Sequence, residues 1–212
     1  MPNASYTNDM EYRLYTTPAF VLARAPSGEA NSTVWLLTRD LGLIRATAQA
    51  ARRVASKHRY GLQTFALAVV SVVRGKGGWR ITSVVPHRSY HSRLSRTPES
   101  VDVAAKLALA LRLLCAGEAR QPELFALFHE AMNVLSGRSL SADRCRSVEC
   151  VALVRILARL GYIGDDAHLA PFIGSVGYSQ PLIAALASDR SRVTRAINEA
   201  FAASHLVDAR YA

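Results

Sequence analysis

Hydrophobic and polar positions change rhythm once along this chain. From Arg13 to about Pro86 the apolar residues come in short runs rich in β-branched and aromatic side chains, punctuated by turn residues. Leu14 to Ala25 predicts a first strand, with Thr16, Thr17, Phe20, Val21 and Leu22 as β-formers, and Pro26-Ser27-Gly28-Glu29 a turn. Ser32 to Thr38 predicts a second strand, and Asp40-Leu41-Gly42 turns the chain into a third, Leu43 to Ala50. Gln63 to Val73 predicts a fourth, the glycine turn Gly75-Lys76-Gly77-Gly78 follows, and Trp79 to Val85 a fifth.

Beyond Val85 the period lengthens to that of helices. Residues 87–97 read as a basic connector; Thr97-Pro98-Glu99 then has the form of an N-cap, a first-turn proline and an early acid. Val101, Ala104, Ala105, Ala108, Leu111 and Leu114 recur at helical spacing up to Gly117. Further helices are predicted from Pro122 to Gly137, from about Asp143 to Leu160, and at about 178–187 and 189–206, with 164–177 irregular. The class is therefore α+β. Residues 1–12 are a tail, 13–86 a five-stranded antiparallel barrel, and 98–212 a helical bundle. An oligonucleotide-binding (OB) barrel and an SH3-like barrel share this strand count, so the strand pattern alone does not separate them.

Charge changes the picture more than composition does. The 212 residues carry a formal net charge of +10. Residues 1–100 hold fourteen Lys and Arg against five Asp and Glu, whereas residues 101–212 hold twelve against eleven. A positive field confined to the barrel half points to an anionic partner for that half. Its densest part is the connection after the third strand, which carries Arg52, Arg53, Lys57, His58 and Arg59 with no acid among them. Arg45, Arg74, Lys76, Arg80 and Arg88 extend the basic set along the strands. The aromatic residues Tyr60, Phe65, Trp79 and Tyr90 lie nearby, and bases stack on such rings at roughly 1–3 kcal/mol each. Trp79 and Phe65 read equally well as barrel core.

Other chemistry finds little support. Metal-dependent phosphodiester cleavage needs converging carboxylates, and Asp9, Glu11, Glu29, Asp40 and Glu99 form no pair at a motif spacing. The glycine turn at 75–78 joins two strands and lacks the helix start of a phosphate cradle. Cys145 and Cys150 have no second cysteine pair, and with Cys115 they read as reduced thiols, Cys115 and Cys150 in apolar helical runs. No catalytic residue, metal or cofactor is expected. Without an apolar leader or a run of about 20 apolar residues, a cytoplasmic, nucleoid-associated protein is expected.

The N-terminal half resembles the RecO family of bacterial recombination mediators. The resemblance rests on Thr17-x-Ala19-x-Val21-Leu22-x-Arg24, Gly28-Glu29, Leu37-Thr38 and Gly42-x-Ile44. It continues through Ala46-x-Ala48-x-Ala50-Ala51-Arg52-Arg53-x-x-Ser56 and Leu62-Gln63-x-Phe65. In the helical half Leu153-x-x-Ile156-Leu157-x-x-Leu160-Gly161-Tyr162 is similar to a family helix. The resemblance implies an OB fold on a helical bundle without enzymatic turnover. It implies binding of single- and double-stranded DNA, strand annealing, and action with RecR to load RecA onto strands coated by single-strand binding protein (SSB). The acidic, apolar tail of SSB would dock on the helical part, for which Arg155 and Arg159, four apart on one helix, are the cations at hand. This chain departs from the family at Ala50, where glycine is usual, at Leu43 and Gln49, where cations are common, and in lacking a set of four zinc-binding cysteines. The competing expectation is an RNA-binding OB module of the translation machinery; a nuclease or other phosphodiesterase is the alternative from a different class.

Overall fold

A computed structural model of the chain describes residues 13–27, 29–49, 60–115, 117–137, 140–174 and 177–204. Five strands come first: β1 (Leu14–Ser27), β2 (Asn31–Thr38), β3 (Gly42–Ala48), β4 (Ala66–Gly75) and β5 (Gly78–Ser89). They close into a barrel in the order β1-β2-β3-β5-β4 and back to β1. The expected barrel is thus present, with one correction. All neighbours are antiparallel except β3 and β5, which pair in parallel through Ala46–Trp79, Thr47–Arg80 and Ala48–Ile81. Parity requires this, because a closed ring of five strands cannot alternate direction throughout. This strand order is of the OB type and removes the SH3-like alternative.

The fifth strand also runs further than expected. Pro86 cannot donate to a ladder, which argues for a strand end there. The β4–β5 register instead shifts between the pairs Leu67–Arg88 and Ala68–Pro86, so the proline sits at an irregularity and pairing continues to Ser89.

Six helices follow: α1 (His91–Leu94), α2 (Pro98–Leu114), α3 (Pro122–Leu135), α4 (Ala142–Arg159), α5 (Ala170–Gly174) and α6 (Gln180–Ala203). Prolines open α2, α3 and α6 in the first turn, and Ser141 and Ser179 accept hydrogen bonds from Arg144 N and Leu182 N as N-caps. Where two C-terminal helices were expected there is one. No glycine or proline interrupts residues 182–203, and the polar turn at its middle is tied down by Arg190, which donates to Asp143 Oδ1 at 2.6 Å and Ser147 Oγ at 2.9 Å on α4. That guanidinium holds the Asp143 carboxyl below its usual range. Helix α4 is the centre of the bundle and packs against α2, α3, α5 and α6.

Two apolar cores result. One fills the barrel with Val21, Val34, Leu36, Ile44, Ala46, Val70, Val72, Trp79 and Ile81. The other lies between the barrel wall and the helices, joining Phe20, Leu22, Leu37, Leu67 and Tyr90 to Leu111, Phe125, Phe128 and Leu157. Strand β1 serves both, since successive side chains point to opposite faces. Phe20 packs its ring 5.2 Å from Phe125 and 5.1 Å from Phe128, while Ala19 and Val21 point into the barrel.

The turn before β3 fixes the barrel against the α2–α3 connection. Gly42 has φ +72°, and a Cβ there would overlap the carbonyl of Ala119. Beside it Asp40 accepts a 2.7 Å hydrogen bond from Thr17 Oγ1, which with Arg39 and Arg120 holds its carboxyl below the usual range.

Candidate nucleic-acid interface

The register of three strands composes the outer face. Val34, Ala46 and Trp79 form a row across β2, β3 and β5 and point into the barrel. Alternation therefore directs the next row, Thr33, Thr47 and Arg80, outward, and with it the pair Trp35–Arg45. Arg45, Lys76 and Arg80 are exposed, and none of the three pairs with a carboxylate among the described residues. A cleft of about 420 Å³ opens at the foot of this face, lined by Thr47, Gln49, Val73, Lys76, Trp79, Arg80 and the glycines of the 75–78 turn. In OB barrels the face of strands 2 and 3 and the loop joining strands 4 and 5 are where oligonucleotides lie. Here that loop carries Lys76 over the cleft.

The remaining sequence-predicted cations divide. Arg52, Arg53, Lys57 and Arg59 lie outside the described residues. The connection that carries them leaves from Gln49 on the cleft rim and returns at Tyr60, an aromatic side chain 72 % exposed. Arg74 lies 5.6 Å over the Trp79 ring and donates to Glu118 Oε2 at 2.6 Å, while Glu118 Oε1 accepts from Trp79 Nε1 at 2.9 Å. Its charge is thus neutralised by a carboxylate from the α2–α3 connection. Arg88 lies eight residues beyond Arg80 on β5, about 26 Å away at 3.3 Å per residue. There it stacks 4.6 Å over Tyr90 and donates to Asn133 Oδ1 at 3.0 Å, so it seals the barrel to α3.

Three of the four nearby aromatic residues are structural. Phe65, Trp79 and Tyr90 are buried, and burial pushes the Tyr90 hydroxyl above its usual range. Phe65, at φ +65°, receives the returning chain: its N–H donates to Val21 O at 2.8 Å and its carbonyl accepts from Tyr90 N. Only Tyr60 remains presented to solvent among the four.

On the bundle, Arg155 corrects an expectation. It is not an exposed cation but a buried one, 2 % accessible. Its Nε donates to Phe172 O at 2.9 Å, one terminal nitrogen to Gly177 O at 2.8 Å and the other to Glu130 at 3.4 Å, with the plane 5.0 Å from Tyr178. Only Arg159 of the predicted pair is at the surface, 3.4 Å from Glu123. Among the described residues no three His, Cys, Asp or Glu side chains converge as a metal site, and no helix is long and apolar enough to cross a membrane. Cys115, Cys145 and Cys150 are free thiols, and burial raises Cys115 to about 11.

Sequence reasoning missed two features. One is a second cleft of about 530 Å³ lined by Arg24, Pro26, Ser32, Gln63, Thr64 and His91, whose parts are scattered over four segments of chain. The other is Trp35, hidden inside an apolar run and set outward by the register. The Arg45 guanidinium lies 5.6 Å from its ring, and that of Arg112 lies 4.4 Å from it.

Fold and face together define an OB-type barrel with a cationic outer surface, backed by a helical bundle. Residues 10–90 match the family model described as Recombination protein O N terminal. Over 163 residues, 72 % of this chain, the sequence is 29 % identical to the DNA repair protein RecO of Synechococcus sp. (strain JA-2-3B'a(2-13)). The aligned region spans 56 % of that relative. Both likenesses point to the RecO family, the first over the barrel and the second over most of the chain.

Proposed function

We propose that this protein is a non-enzymatic DNA-binding and strand-annealing mediator of recombinational DNA repair. The observation that carries the reading is the set of cations Arg45, Arg80 and Lys76, without a carboxylate partner among the described residues, on the ligand-binding face of an OB barrel similar to that of RecO proteins. Such a face neutralises phosphates without reading bases, so binding is sequence-independent and salt-sensitive. Arg52, Arg53, Lys57 and Arg59 enter the same proposal because their connection starts on the cleft rim. Arg74 contributes only when Glu118 lets it go, and Arg88 lies off the path.

Annealing follows from neutralisation: two complementary strands held on one cationic surface repel each other less. RecR, RecA and the acidic SSB tail are the partners that the likeness to the RecO family suggests, and of the two arginines named for the tail Arg159 is the accessible one. The test is an anisotropy titration of a labelled single strand at several salt concentrations. If roughly four to six phosphates are met, log K falls against log[salt] with a slope of about −3 to −4. A slope near zero overturns the reading, and preference for an RNA oligomer over DNA of the same sequence turns it toward translation. Annealing of SSB-coated strands, lost when the SSB tail is deleted, tests the mediator role.

A further inference from the structure

We propose that the DNA path does not end on the barrel but crosses to the helical bundle at Arg112, where Arg45, Trp35 and Arg112 form a seat for a backbone phosphate. The inference rests on the DNA-binding reading above and adds to it a residue from the other half of the molecule.

Arg112 stands in the last turn of α2, and its guanidinium lies 4.4 Å from the centroid of the Trp35 ring that Arg45 approaches to 5.6 Å. Two like charges therefore share one indole, and no carboxylate pairs with either among the described residues. Cation–π attraction holds each plane to the ring but does not cancel the positive field between them.

The hydrogen bonds of Arg112 separate it from other arginines of the bundle. Arg144 donates to Gln180 Oε1 and Tyr178 O, Arg190 to Asp143 and Ser147, and Arg155 to two carbonyls and Glu130. Arg112 donates to no described residue; its Nε is enclosed without a partner, as is the Nε of Arg190, but Arg190 spends both terminal nitrogens on α4 and Arg112 spends neither. Unpaired enclosed donors are uncommon in folded proteins. A planar fork held against a ring, with both terminal nitrogens unused, suits a phosphate oxygen pair. Phosphodiester is the class of anion because the seat continues the row from Lys76 through Arg80 to Arg45.

A favourable interaction with the C-terminal end of α2 is the simpler role for this cation, and the experiment separates the two. Oligo-dT binding by the full-length protein is titrated across salt for wild type, Arg112→Gln and Arg112→Lys. One lost phosphate contact makes the slope shallower by about 0.7 and weakens binding roughly tenfold at about 50 mM salt. Arg112→Lys keeps the wild-type slope, since a charge remains. Should Arg112→Gln not fold, Arg112→Met keeps the apolar stem on the ring and serves in its place. A wild-type slope of about −3 to −4 that the neutral variant retains overturns this inference and leaves the DNA-binding reading standing. A wild-type slope near zero overturns that reading itself. Loss of binding to an acidic apolar peptide with an unchanged DNA slope assigns the seat to a peptide and also overturns the inference.

Discussion

Arg80 on the barrel and Arg155 in the bundle are the same residue put to opposite uses. Arg80 is exposed, next to a cleft, and pairs with no carboxylate among the described residues; Arg155 is enclosed and every one of its nitrogens is taken. The contrast extends to their neighbourhoods. Cations of the bundle meet carboxylates at Asp102–Lys106–Glu149, Arg159–Glu123 and Arg190–Asp143, whereas the β3–β5 face offers its cations to solvent. Among the described residues the β3–β5 face and these bundle sites therefore differ in pairing, not only in number. A cation whose partner is internal supports the fold, and one without a partner is available to an anion from outside.

Substitutions test that division. The largest effect is expected at Arg155: its replacement by Met leaves two carbonyls and Glu130 without their donor and lowers unfolding free energy by about 3–5 kcal/mol, read by urea denaturation. A loss below about 1 kcal/mol would erase the distinction between the two arginines. Gly42→Ala comes next. It places a side chain at positive φ and against the Ala119 carbonyl, for an expected loss of about 2 kcal/mol in the same assay.

The barrel face should behave in the opposite sense. Arg45→Ala, Lys76→Ala and Arg80→Ala together should cost little stability, within about 0.5 kcal/mol per site. They should flatten the salt dependence of single-strand binding by about 2 in slope. A stability loss comparable to that at Arg155 would mean that these cations are structural after all.

The smallest effect concerns pH. Burial, followed by the nearby Arg88 and His87, holds His129 below its ordinary pKa of 6.5. The unfolded chain then binds the proton more readily than the folded one, so stability falls as pH drops below about 6.5. His129→Gln should flatten the melting temperature between pH 6.5 and pH 5.

Much of this architecture is legible in the sequence, because strands, turns and amphipathic helices are local patterns. Gly75-Lys76-Gly77-Gly78 predicts the hairpin that carries Lys76, and Pro98 and Pro122 mark the helix starts observed. Closure is not local. Nothing between Gly42 and Ala48 announces a parallel neighbour thirty-odd residues later, and the parallel pair follows only once five strands are known to form a ring. Arg155 illustrates the same limit for a site. Four residues from Arg159, it reads as part of one polar stripe, but α4 has helices on several sides, and the carbonyls of Phe172 and Gly177 arrive from later in the chain. Trp35 was concealed by its own strand: in Val34-Trp35-Leu36-Leu37 no alternation marks which side chain faces out, because both faces are covered.

The two-sided burial of β1 also decides how this protein can be taken apart. Cutting the chain after Ser89 would leave a closed barrel with Phe20, Leu22, Leu37 and Leu67 on its wall, a greasy strip that the helices cover in the intact chain. Such a fragment would self-associate or recruit foreign apolar surface, and its behaviour would say little about the parent. The core shared by barrel wall and helices thus ties the two halves into one packed body.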